Sequence, residues 1–243
     1  RGSLVAKYLR DGCQRSDQAL DLVVWEWARG PAGRMTTYWT EIDGVKHVAD
    51  VGAQVLSCSD EKDVDWLMEQ GAVEATGLAQ TRERSPGRKH FWMRGGTTEL
   101  LRKQLEAGSP EEVEFTRKVT GIRRDGNAFL VEARGKGRRD RAPSFTSRFD
   151  AVIVAVTASD ALRIDGLKDV LGEAAAKALR AVRYDHRLAA ALVCSPELRG
   201  DLERFFGAER AEVDLESEDD VLGLVAWQDR KLRAHPDRTL VVL

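Results

Sequence analysis

Leu20-Asp21-Leu22-Val23-Val24-Trp25-Glu26 is an apolar run that closes on an acid. The turn Gly30-Pro31-Ala32-Gly33-Arg34-Met35-Thr36-Thr37 follows it, and then the short segment Ala49-Asp50-Val51-Gly52-Ala53-Gln54. A doubly wound dinucleotide-binding unit ends its second strand on a carboxylate that accepts hydrogen bonds from ribose hydroxyls, about 20 residues beyond a glycine turn. Glu26 stands at that place. The glycine turn should open a helix, and Leu4, Val5, Tyr8 and Leu9 recur at helical spacing directly after Gly2. Gly2 is then the last glycine of a G-x-G-x-x-G turn or, on the plainer alternative, an ordinary N-terminal residue. Asp11-Gly12 is expected to stop the helix, and the run 20–24, which lacks alternation, predicts a fully buried parallel strand.

Working outward, Arg34 leaves the Gly33 turn where a guanidinium can pair bidentately with a pyrophosphate oxygen; an arginine after a turn is, taken alone, more often simply solvated, but beside Glu26 and the 49–54 segment the pairing gains. Gly52 and Ala53 are small enough to let backbone approach a flat ring, and Gln54 offers that ring an amide. The alternative there is a bulge with a satisfied amide. Val64, Leu67 and Met68 predict an amphipathic helix over 60–71 with an acidic first turn, and 81–89, with Pro86-Gly87, predicts a loop or hairpin turn. Phe91-Trp92-Met93 and Gly95-Gly96 lead into a helix over 97–107 that turns Leu100, Leu101 and Leu105 to a core. Arg124-Asp125-Gly126-Asn127 between two apolar runs is a hairpin signal.

The basic run 134–148 has no interleaved aromatic residues and predicts a solvated loop rather than a polyanion surface. Residues 151–156 predict a second buried parallel strand, with Ala155, Val156 and Thr157 at its ligand-side end. Beyond it come a helix over 172–182, a strand at 188–194, a helix at 196–206, an acidic loop at 212–220 and strands at 221–227 and 239–243. This mixture fits a second sheet.

The 243 residues carry a formal net charge of -2 and are 42% hydrophobic, a globular composition with no overall pull toward nucleic acid or anionic membrane. No apolar run approaches the roughly 18 residues of a membrane span. Cys13, Cys58 and Cys194 are widely spaced and odd in number, which fits reduced thiols in a reducing compartment such as the cytoplasm or a plastid or mitochondrial interior. The histidines show no metal-ligand pairing, so no metal is expected. Both ends are expected to be cut inside elements, since the first residue is Arg and 238–243 reads as a strand.

Val24-Trp25-Glu26, Gly33-Arg34-Met35-Thr36-Thr37, Ala49-Asp50-Val51-Gly52-Ala53-Gln54 and Phe149-Asp150-Ala151-Val152-Ile153-Val154 together resemble the renalase family of flavoproteins, relatives of the monoamine oxidase and protoporphyrinogen oxidase group. Val182, Tyr184 and Arg187 follow in a family-like order. Two departures stand out: Ala32 where the family has the first Gly of a doublet, and Val156-Thr157-Ala158 where it often has Pro. The resemblance implies an α/β fold, a Rossmann-like FAD-binding domain lacking its opening strand, built from 1–59 and 90–162. An interleaved α+β substrate domain would comprise 60–89 and 163–243.

It implies FAD held by Gly2, Glu26, Gly33, Arg34, Met35, Gly52, Ala53, Gln54, Val119, Ala155 and Thr157. The strand containing Val119 would pass the adenine, and Gly96 would return the chain to the FAD domain. The implied reaction is oxidation of 2- and 6-dihydro isomers of NAD(P)H to NAD(P)+ by O2, releasing H2O2. No catalytic acid or base is identified, because the flavin supplies the redox chemistry. A related amine oxidase or desaturase, with an amine or hydrocarbon as the small-molecule substrate, would share these motifs. So would a degenerate, non-catalytic FAD-binding protein. An NAD-dependent dehydrogenase would use Glu26 but leave the Gly33-Arg34 and Asp50-Val51-Gly52 segments unexplained.

Overall fold

The computed structural model describes residues 2–16, 19–42, 44–78, 87–135, 142–185, 187–215, 219, 221–232 and 239–242. Helices and sheets are mixed along the chain, which divides into two compact units: 1–31 with 103–186, and 32–102 with 187–243. The units have other borders than the division into 1–59 with 90–162 and 60–89 with 163–243, because 32–59 and 90–102 pack with the C-terminal residues.

The first unit opens with helix α1 (Gly2–Ser16). The predicted stop at Asp11-Gly12 does not occur. An interior glycine costs a helix about 1 kcal/mol without ending it, and the turn around it is supported by Lys7 Nζ on Asp11 at 2.6 Å and Arg15 Nε on the Asp11 carbonyl at 3.1 Å. Strand β1 (Val23–Trp25) is shorter than the predicted run and half-buried rather than fully buried. It pairs in parallel with a strand at Glu112–Glu114.

Arg10 ties these pieces together. Its guanidinium donates to the carbonyls of Leu20 (3.0 Å), Gly108 (3.3 Å) and Ser109 (2.7 Å), and to both Glu111 oxygens (2.9 and 3.0 Å), while Glu111 also accepts the Leu22 N–H at 2.5 Å.

The predicted hairpin is present, Lys118–Asp125 against Ala128–Arg134, with Ser144–Phe149 added on its far side. That last strand replaces the C-terminal part of the loop predicted over 134–148; residues 136–141 lie outside the described ones. Ile122, Val131, Ala161 and Leu167 form the buried core here, with Trp25, Val119 and Val152 packed on it. Residues 151–156 form no strand, and Ile153 and Val156 are exposed. The segment has the composition of a strand, but an extended segment becomes one only beside a partner, and it has none among the described residues.

Among the described residues the second unit holds three sheets. The hairpin β2 (Thr37–Ile42) and β3 (Val45–Asp50) was not read from the sequence, because Tyr38 and Trp39, on opposite faces of β2, are both exposed and β2 lacks apolar alternation. Leu56–Cys58, Lys89–Met93 and Ala72–Glu74 make a second, antiparallel sheet. Beside it lies α2 (Glu61–Glu69), capped by Asp60 as its acidic first turn predicts, with Leu67 buried against Phe91 and Met93. The predicted loop over 81–89 falls mostly outside the described residues, and Lys89 begins a strand.

Helix α3 (Thr97–Ala107) follows Gly95-Gly96 as expected, with Leu100 and Leu105 buried and Leu101 half-buried. Gly96 has φ +84, and a Cβ there would press on the Thr37 side chain, so only glycine fits. The third sheet runs Ala191–Cys194, Thr239–Val242, Leu224–Trp227, Glu212–Asp214. Residues 212–214 are thus a strand, and buried Glu212 opens it, where an acidic loop was expected. A short helix α4 (Gln228–Leu232) leaves Leu224–Trp227.

Candidate functional site

In the first unit Glu26 directly follows β1, and of the other candidate residues Gly2 lies beside Ala155. Glu26 continues from the strand: its N–H donates to the Glu114 carbonyl at 2.9 Å and its own carbonyl accepts from Arg117 at 2.9 Å. One carboxylate oxygen takes the Ala28 N–H at 2.6 Å, and the other has no protein partner among the described residues. Glu26 is half-buried, so an acceptor stands open at the end of a parallel strand. Gly2 begins α1 beside Ala155; a Cβ on Gly2 would lie 3.5 Å from the Ala155 Cβ, an ordinary contact. Ala155 is exposed. Val119 lies in the strand Lys118–Asp125, half-buried, just before a bulge at Thr120. Thr157 caps the short helix Ala158–Ala161 by accepting the Asp160 N–H, and its hydroxyl donates to the Asp160 carboxylate at 2.7 Å.

In the second unit the structure brings Gly33, Arg34, Met35, Gly52, Ala53 and Gln54 into one backbone cluster. Gly33–Met35 is a single 3-10 turn. The Ala53 N–H donates to the Arg34 carbonyl at 3.0 Å, and the Val51 and Gly52 N–H groups both donate to the Thr36 carbonyl at 3.1 Å. A Cβ on Gly52 would run into the Arg34 carbonyl and come within 2.8 Å of the Thr36 nitrogen. The close approach that requires glycine here is therefore made to the chain's own backbone. Gln54, read as an amide offered to a ring, is buried and turned inward: Nε2 donates to the Asp50 carbonyl, and Oε1 accepts from Gln228 Nε2 at 3.0 Å and Lys231 Nζ at 3.1 Å.

Beneath this cluster is a buried polar network that the sequence reading missed. Asp50 is fully buried and its Oδ1 accepts from the Thr97 N–H (2.9 Å), Thr97 Oγ1 (3.2 Å) and Thr37 Oγ1 (2.6 Å). Its Oδ2 meets Lys231 Nζ at 3.3 Å, both side chains being inaccessible to solvent. Buried charges of this kind persist only when paired and hydrogen-bonded. The signal available in sequence was Asp50 closing an apolar strand, but nothing local pairs it with a lysine 181 residues away.

Lys231 also forms part of the wall of a cavity of about 460 Å³ in this unit, with Trp92, Arg94, Arg230, Glu74 and Glu209. Arg230 is held there by bonds to the Gly207 and Arg210 carbonyls at 2.6 and 2.8 Å and by stacking on Trp227. Burial lowers its guanidinium from the ordinary arginine value, Glu203 opposes that and Arg199 adds to it. Among the described residues no cluster of His, Cys, Asp and Glu can hold a metal ion, and no helix is long and apolar enough to cross a membrane.

No protein-family model matches the chain, and no curated protein matches it. Among solved structures, it is similar to the PF1083 protein of Pyrococcus furiosus, with a TM-score of 0.59 and 13% identity over 99% of this chain and 76% of that one. At that identity the likeness is one of fold alone. PqsL of Pseudomonas aeruginosa, described as a probable FAD-dependent monooxygenase, aligns at a TM-score of 0.44 and 16% identity over 99% of this chain and 56% of its own. AlpK aligns at 0.42 and 14% over 99% of this chain and 41% of its own. Those two scores are too low to argue from, and this chain spans little more than half of PqsL and less than half of AlpK.

Proposed function

We propose that the protein is an FAD-dependent oxidoreductase that oxidises dihydronicotinamide isomers to NAD(P)+ with O2 as acceptor and H2O2 as the second product. The observation that carries the flavin reading is Glu26: a carboxylate delivered by the C-terminal end of a parallel strand, after a helix that opens on Gly2, with one oxygen open to accept ribose hydroxyls. The description of PqsL points to the same cofactor without carrying weight. Resemblance to the renalase family alone supports the choice of substrate.

In this reading 1–59 and 90–162 serve the cofactor, and 60–89 and 163–243 the substrate. Glu26 takes the ribose, and Arg34 supplies positive charge to the pyrophosphate, with the Gly33–Met35 turn setting its backbone. Gly2, Val119, Ala155 and Thr157 offer backbone and small side chains. Gly52 and Ala53 present a half-buried backbone surface whose own N–H groups are already used, so they offer shape rather than donors. Bound FAD would supply the two-electron redox chemistry, accepting from the substrate and delivering to O2. Three widely spaced cysteines, odd in number, favour a reducing compartment.

The test is made on the intact natural protein. A flavin absorption spectrum and an FAD titration are recorded for the protein itself and for Glu26→Ala and Arg34→Ala. Each variant removes a charge-assisted hydrogen bond of about 1.5–3 kcal/mol, so roughly tenfold or greater weakening is expected. No FAD binding, or unchanged affinity in both variants, overturns the flavin reading. Anaerobic reduction by dihydronicotinamide isomers should outpace reduction by monoamines; the reverse order moves the protein to the amine-oxidase branch.

A further inference from the structure

Gln228 sits on α4 and is fully buried, yet its carboxamide spans both ends of a segment 174 residues earlier. Its Oε1 accepts the Asp50 N–H at 3.3 Å and its Nε2 donates to Gln54 Oε1 at 3.0 Å. Gln54 in turn donates to the Asp50 carbonyl, so the chain from 50 to 54 is closed on itself and clamped from α4. The residues inside this clamp, Val51, Gly52 and Ala53, are the ones that stay half-open to solvent. A carboxamide suits the task because it offers a donor and an acceptor in one rigid plane; a carboxylate offers no donor and an aliphatic side chain neither.

We propose that Gln228 is a positioning residue that fixes the backbone of Gly52 and Ala53 through Gln54, and so sets the surface with which this segment meets the flavin. The proposal rests on the flavin reading above for its ligand, but the backbone clamp stands or falls without it. Gln228 does not touch the cofactor in this scheme. It acts by holding the 51–54 turn against the carbonyls of Arg34 and Thr36, where the Ala53 and Gly52 N–H groups are bonded.

The experiment compares Gln228→Met, which keeps length and volume, with Gln228→Glu, which keeps the acceptor alone, and with Phe206→Leu as a control. Phe206 is buried in a separate cluster of the same unit, with Val225, Trp227 and Val241. Amide hydrogen exchange at Gly52 and Ala53 is measured in the intact protein without FAD, and FAD affinity is then measured at a temperature where each variant is folded. In Gln228→Met both amides should exchange about tenfold faster than in the parent, and FAD should bind about tenfold more weakly, the loss of one buried hydrogen-bond pair. Gln228→Glu, which sets a buried carboxylate against the Gln54 Oε1 acceptor, should be disrupted at least as much as Gln228→Met, and Phe206→Leu should change neither while lowering the melting temperature.

Unchanged exchange at Gly52 and Ala53 in Gln228→Met overturns the clamp, whatever FAD does. Faster exchange with FAD affinity unchanged overturns the link to the cofactor. A parent protein that binds no FAD, but shows the exchange effect, overturns the flavin reading and leaves the clamp standing.

Discussion

Replacing Lys231 by Met tests the buried ion pair directly. The ammonium and the Asp50 carboxylate are both inaccessible to solvent and 3.3 Å apart. The substitution keeps most of the side-chain volume but leaves Asp50 Oδ2 without its cation, while Oδ1 keeps Thr37 and Thr97. Breaking one partner of a buried pair costs about 3–5 kcal/mol, because the remaining charge is uncompensated. A chain of this size loses about 2–4 °C in Tm per kcal/mol, so Tm should fall by about 6–20 °C. Removing the charge as well, in Asp50→Asn with Lys231→Met, should recover part of the loss, because a neutral amide tolerates burial better than an unpaired carboxylate. Calorimetry and urea melts of the four proteins close a double-mutant cycle. If Lys231→Met melts within about 2 °C of the parent, or the two substitutions simply add, the pair is not the coupled element the geometry indicates.

Gly52→Ala should destabilise by about 1–3 kcal/mol, since its Cβ has no room against the Arg34 carbonyl and the Thr36 nitrogen; a variant as stable as the parent in urea would show that the turn yields. Glu111 is held below its ordinary carboxylate value by the Leu22 N–H and by Arg10. Its folded value being depressed, its contribution is present above the unfolded value and lost as pH falls through the folded one. The stability difference between parent and Glu111→Gln should therefore be steady at about pH 6–8 and close below about pH 4, and a gap that does not vary with pH would contradict this. Burial first, with Asp63 and Asp60 adding and Lys89 opposing, raises the Cys58 thiol, so iodoacetamide should modify it more slowly at pH 8 than a free cysteine; equal rates would refute that environment.

Local chemistry was enough for the start of α1, for α2, α3, the Asp125-Gly126 hairpin and the helix Glu173–Ala181, because periodicity, caps and turn residues act within a few positions. It also sufficed for the parallel strand that presents Glu26. It failed wherever a partner decided the outcome. Residues 151–156 are as apolar as a buried strand but have no neighbour among the described residues to pair with. Ser144–Phe149 and Glu212–Asp214 look polar, yet each is drafted into a sheet by the strand beside it.

The candidate site divides in the same way. The residue types of the Gly33-Arg34 and Gly52-Ala53-Gln54 segments were legible, and so was the need for small residues there. What those residues do was not. Gln54 was expected to face a ligand and instead faces Gln228 and Lys231, and Gly52 makes room for the backbone of Arg34. Sequence alone determined the local elements and the residue types of the candidate site. Tertiary structure alone decided which polar groups are spent inside the protein, because a buried charge or amide must find its partner wherever the fold brings one, and here the partners lie 174 to 181 residues away.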